Sequence, residues 1–106
     1  MPKYLFRASY TAQGAAGVLK EGGSGRASAV EQLVSSVGGT VEAQYWAFGE
    51  DDYFLIADLP DGAAAAAASM TVGASGAARV TTAELLTAED LDEAVRRSPQ
   101  YRAPGA

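Results

Sequence analysis

The chain has 106 residues, of which 48% are hydrophobic and 20% charged, a balance that fits one globular domain and argues against wholesale disorder. Its net charge is −5, and its eight basic residues are scattered apart from the pair Arg96-Arg97, so it lacks the clustered cations that nucleic acid requires. It has neither cysteine nor histidine, which removes disulfides, thiol nucleophiles, imidazole bases and the usual zinc ligand sets.

The segment Tyr4 to Tyr10 alternates as a strand, with Tyr4, Phe6, Ala8 and Tyr10 on one face and Lys3, Leu5, Arg7 and Ser9 on the other. Because the N-terminus enters this pattern directly, no signal peptide is expected. No run approaches the roughly 18 apolar residues of a membrane span. A cytoplasmic location follows, and the Ala- and Gly-rich composition points to a bacterial gene.

Thr11 caps a short helical turn through Leu19, weakened by Gly14 and Gly17, and Gly22-Gly23-Ser24-Gly25 reads as a flexible loop. From Gly25 to Val37 the apolar residues Val30, Leu33, Val34 and Val37 recur at helical spacing, and Gly38-Gly39 supplies the C-terminal stop. From Thr40 to Phe48 a second strand sets Val41, Ala43, Tyr45 and Ala47 against Glu42, Gln44, Trp46 and Phe48. The acidic turn Gly49-Glu50-Asp51-Asp52 leads into Tyr53–Leu59, a strand apolar enough to be buried on both faces and interrupted only by Asp58. Pro60 ends it, and Asp61 caps a second helix that runs to about Val72 through the alanine run Ala63–Ala68.

Ala78 to Leu86 forms the fourth strand. Thr87-Ala88-Glu89-Asp90 resembles a capping box and opens a short helix whose Leu91, Ala94 and Val95 are expected to face inward. The domain is thus expected over residues 1–97, with a tail at 98–106. The order β-α-β-β-α-β plus a C-terminal helix predicts the α+β ferredoxin-like fold, a four-stranded antiparallel sheet with helices on one face. Strands apolar on both faces need a second cover, and Trp46, Phe48, Phe54 and Ile56 would otherwise be exposed. A homodimer, or a higher homo-oligomer, supplies that cover.

The phrases SYTAQG, GG before the second strand, YWAFG, the apolar strand ending in Pro60-Asp61, the late LLT and the ending YRAPG together resemble the GYD domain family of the dimeric α/β-barrel superfamily. The family motif Gly-x-Tyr-Asp falls on Gly49-Glu50-Asp51-Asp52; Gly49 and Asp52 match, while Asp51 stands where the pattern has tyrosine. The resemblance implies the fold and a dimer, and the superfamily spans cofactor-free monooxygenases and isomerases as well as proteins of other roles.

Candidate functional residues are those that interrupt apolar strands. Arg7, Asp58 and Glu84 form an ion pair that fixes register, Arg7 with Asp58 or with Glu84, or else they meet a ligand. Tyr10, Tyr45, Trp46 and Tyr53 line a cavity for a small ligand or serve as core and interface aromatics. No cofactor or metal is implied: the glycine-rich stretch lacks a phosphate-loop pattern, and Glu50-Asp51-Asp52 reads as a solvated turn. Two readings stay open, a non-catalytic dimer that binds a small apolar molecule or a partner, and a cofactor-free barrel enzyme in which Arg7 holds an anion and Asp58 or a tyrosine moves a proton.

Overall fold

A computed structural model describes all 106 residues. The elements are β1 (Lys3–Tyr10), α1 (Ala12–Ser36), β2 (Thr40–Trp46), β3 (Tyr53–Asp58), α2 (Gly62–Ala74), β4 (Ala78–Leu85) and α3 (Ala88–Arg97). The sheet order is β2-β3-β1-β4 with every pairing antiparallel, the ferredoxin-like arrangement, and β1 and β3 are central as the sequence predicts. No helix is long and apolar enough to cross a membrane.

Register sorts the strands into rungs. On the face covered by α1 and α2, called the inner face here, lie Glu84–Tyr4–Ala57–Val41, then Thr82–Phe6–Leu55–Gln44, then Val80–Ala8–Tyr53–Trp46. Tyr4, Phe6, Ala8, Tyr53, Leu55 and Ala57 are buried there with Val34 of α1 and Leu59, and α2 adds Ala65 and Ala68. On the opposite, outer face lie Leu85–Lys3–Asp58–Thr40, Ala83–Leu5–Ile56–Ala43 and Thr81–Arg7–Phe54–Tyr45. Nothing in the chain covers this second face; Phe54 and Ile56 remain half-buried and Tyr45 is exposed.

β2 departs from the predicted alternation. A bulge between Val41 and Ala43 inserts Glu42 as an extra residue, so Val41 faces inward while Ala43 and Tyr45 face outward. Trp46 therefore sits on the inner face against Tyr53, with ring centroids 5.0 Å apart, and Phe48 lies beyond the strand. The expected patch of Trp46, Phe48, Phe54 and Ile56 is instead one of Leu5, Tyr45, Phe54 and Ile56.

α1 is one kinked helix. Only Gly22 leaves helical geometry, at φ 79° and ψ 171°, so the predicted four-residue loop shrinks to a single residue that a side chain would strain. Thr11 caps its start: the hydroxyl accepts the Gly14 N–H at 3.1 Å, while the Thr11 N–H donates to the Ala77 carbonyl at 3.0 Å. Gly14 is pressed on that same carbonyl, where a Cβ would come within 1.9 Å of the oxygen. Asp61 caps α2 as predicted, its carboxylate accepting the Ala64 N–H at 2.9 Å.

α3 overturns one expectation. Its predicted capping box is present, but the helix buries nothing: Leu91 and Val95 are 58% and 71% exposed, and Ala94 is exposed too. The radius of gyration is 16.7 Å, against about 13 Å for a compact domain of this length, and the long axis measures 56 Å. Part of the apolar pattern that sequence assigns to the core thus lies outside it.

Candidate functional site

Asp58 ends β3 on the outer face, and its partner is Lys3 rather than Arg7. Lys3 Nζ donates to Asp58 Oδ1 at 2.8 Å and reaches past β3 to the Glu42 carboxylate. The antiparallel register dictates this, because Lys3 opens the strand whose neighbour Asp58 closes. Hydrogen bonding to the two carboxylates raises the Lys3 pKa above its ordinary value. This triad locks β1, β3 and β2 together at one end of the sheet. It could have been read from topology: in a central antiparallel pair, the first charge of one strand meets the last charge of the other.

Glu84 is likewise not a partner of Arg7. It lies on the inner face opposite Tyr4, whose phenol is raised by burial and by the Glu84 carboxylate beside it. Arg7 lies between Thr81 and Phe54 on the outer face, in a polar notch with Ser9, Arg79, Glu50 and Asp51. The three interrupting residues are therefore not gathered into one site.

The aromatic residues divide between the faces. Tyr45 points outward, whereas Tyr10, Trp46 and Tyr53 assemble on the inner side. Trp46 Nε1 donates to Tyr10 Oη at 3.2 Å. Tyr53 Oη donates to Gln44 Oε1 at 2.7 Å, and Gln44 Nε2 donates to the Ala27 carbonyl of α1 at 3.5 Å. This relay fastens α1 to the sheet. Burial pushes the Tyr53 phenol well above the ordinary tyrosine range, so it acts as a hydrogen-bond donor and not as a base.

Beside this cluster lies a cavity of about 80 Å³ between the two helices and the sheet. Phe6, Leu55, Val34 and Val80 line it, and 13 of its 15 lining residues are hydrophobic, which sets it up for apolar rather than charged guests. Tyr10 and Arg26 line both the cavity and the open groove that adjoins it between α1 and α2. Arg26 makes one long contact, at 3.4 Å, with Glu21 on its own helix. Sequence reading missed Arg26 and Gln44, since a single polar residue on a helix or an outer strand carries no mark of what it will face.

The motif turn Gly49–Asp52 is a corner that ties strands together. The Asp52 carboxylate accepts the Tyr10 N–H at 2.9 Å, and the Asp52 N–H donates to the Ala8 carbonyl at 2.8 Å. Ser9 Oγ donates to the Glu50 carbonyl at 2.5 Å. The Glu50, Asp51 and Asp52 carboxylates do not converge as a metal ligand set would. At the β3–α2 corner Leu59 N–H donates to the Pro2 carbonyl at 3.0 Å, and Pro60 and Asp61 follow it as the strand stop and the helix cap.

Comparison with curated proteins and with solved structures gives no match. The family model of the GYD domain matches residues 4–95, from the first inner-face tyrosine to the last apolar residue of α3. That span covers both corners, Asp58 and Glu42 of the triad and the inner cavity, and on it the chain belongs to the GYD domain family.

Proposed function

We propose that the protein is a homodimeric, non-catalytic binding protein that takes a small apolar molecule between its helices and its sheet. One observation carries the binding: an apolar cavity of about 80 Å³ adjoins an open groove, with Tyr10 and Arg26 at their junction. A dry cavity of about 150 Å³ holds benzene, so this one takes the apolar end of a small guest while the groove takes the remainder. The cofactor-free enzyme reading has less support. Arg7 and Asp58 are apart, Asp58 is held by Lys3, and the buried Tyr53 phenol that lines the cavity is a donor. A bacterial cytoplasm fits the Ala- and Gly-rich, cysteine-free chain.

The dimer reading rests on the outer face. The middle rung Ala83–Leu5–Ile56–Ala43 is apolar across all four strands, and Phe54 and Tyr45 extend it. Charged and polar residues confine this strip at both ends, the layout of an interface core with a polar rim.

Binding is tested by native mass spectrometry of protein purified from its own host, and by titrating purified protein with indole and octanoate under NMR. A bound mass, or saturable shifts at Phe6, Leu55 and Val80 that vanish in the cavity-filling variant Ala68→Phe, is the expected result. No bound mass and no saturable shift with either probe refutes the reading. A monomer at micromolar concentration refutes the dimer.

A further inference from the structure

α3 is built to persist, yet it has no surface to lie on. Thr87 Oγ1 accepts the Asp90 N–H at 3.1 Å and Asp90 Oδ2 accepts the Thr87 N–H at 2.9 Å, while Glu93 pairs with Arg96 at 2.8 Å and Arg97 at 3.6 Å. A ten-residue helix is still marginal in water without packing. Across a cleft of about 680 Å³, Asp90, Glu93, Ala94 and Arg97 face Met1, Lys3 and Leu85 of the body. Leu91 and Val95 lie about a third of a turn away from that side. The apolar edge of α3 is therefore turned from the chain that carries it.

The placement of charge points to what that edge meets. Lys3 and Leu85 belong to the outer face, so α3 stands at that face's Lys3 end. The opposite end carries Arg7 and Arg79, both exposed, and the ion pairs of the molecule use Lys3, Arg26, Arg96 and Arg97 instead. Glu50 and Asp51 line the same notch but make no salt bridge to either guanidinium. On α3, Glu89 and Asp92 are also without a cationic partner.

We propose that α3 is an exchanged arm that docks on a second copy of this chain. This rests on the outer-face dimer proposed above. The copies stack with a two-fold axis crossing the strands, which brings the Lys3 end of each over the Arg7–Arg79 end of the other. Each α3 then lays Leu91 and Val95 on its partner and sets Asp92, which flanks them on the helix, beside the partner's free guanidinium groups. The arm also adds apolar surface at each end of the stacked sheets, and symmetry supplies it twice.

The test uses the full chain in sedimentation equilibrium with four variants, each checked by circular dichroism. Leu91→Glu combined with Val95→Glu, and separately Asp92→Lys, are expected to weaken the dimer about tenfold or more. Arg79→Glu is expected to restore affinity to Asp92→Lys, which a merely local effect on α3 would not do. Ile56→Glu, on the middle rung, abolishes the dimer whether or not the arm exists. Because the chain has no cysteine, a spin label at Val95→Cys reports contact directly when mixed with ¹⁵N-labelled wild-type chain. Broadening of the Arg7 and Arg79 amides in the ¹⁵N-labelled copy is the expected result. A dimer that Ile56→Glu breaks, but in which the label broadens nothing and the α3 variants keep full affinity, overturns the arm and leaves the dimer. Broadening at the Lys3 end overturns the proposed crossing. A wild-type monomer at every concentration overturns both.

Discussion

Replacing Gly14 by alanine tests how α1 is seated, because it sets helix propensity against packing. In an exposed helix interior, alanine in place of glycine stabilises by about 0.8–1 kcal/mol. At Gly14 the new Cβ would come within 1.9 Å of the Ala77 oxygen and 2.8 Å of its carbon, so helix and loop must part by about 1.5 Å to reach ordinary contact. That separation breaks the bond from Thr11 N–H to Ala77 and the one from Thr11 Oγ1 to the Gly76 carbonyl, at 3.0 and 2.7 Å. Two such bonds are worth about 1–3 kcal/mol together. With the propensity gain subtracted, Gly14→Ala is expected to destabilise by up to about 2 kcal/mol. Gly17, three residues on in the same helix, has open space for at least 4 Å around the point a methyl carbon would occupy, so Gly17→Ala should stabilise by about 0.5–1 kcal/mol. Urea unfolding at one fixed protein concentration, followed by circular dichroism, reads both midpoints. Equal shifts in the same direction would refute the close seating of Gly14 on Ala77.

Alkaline pH probes the buried phenol. Burial raises the folded-state pKa of Tyr53 above its ordinary value of 10.0, so its contribution is complete below about pH 10 and is lost as pH climbs towards the folded value. Lys3 and Tyr4, also raised, act in the same window, so Tyr53→Phe should soften the alkaline loss of stability without abolishing it; an unchanged pH profile would count against the burial argument. At neutral pH the same variant leaves Gln44 Oε1 without its donor and should cost about 1 kcal/mol. Asp52→Ala frees the Tyr10 N–H and is expected to cost about 1–2 kcal/mol while leaving indole and octanoate shifts in place. Loss of probe binding at unchanged stability would make the motif turn part of the binding site instead.

The strands and caps are legible because each is written locally. Tyr4, Phe6 and Ala8 alternate with Leu5 and Arg7, and Asp61 and Thr87 stand just ahead of the helices they cap. The bulge at Glu42 is not legible, since a reading with period two has no place for a residue that belongs to neither face. Gly22–Gly25 reads as a loop because glycine tolerates one; the helix on both sides carries through, and only Gly22 departs from it. The α3 pattern announces that Leu91 and Val95 have a partner but cannot say on which chain. Asp58 stands out for a charge its strand does not explain, and the explanation lies 55 residues away at Lys3, where only the register brings the two together.

The extra residue in β2 has a consequence for how the gene can change. Seven residues of β2 face six of β3, so Glu42 is spare to the register: without it Val41 would still meet Ala57 and Ala43 would still meet Ile56, each on its present face. An insertion finds no such slack, because one more residue between Ala43 and Trp46 would turn part of the strand over unless a second bulge formed. Loss of one codon is therefore better tolerated in this strand than gain of one. The bulge is a spare residue held in the ladder, and it makes the strand asymmetric towards changes of length.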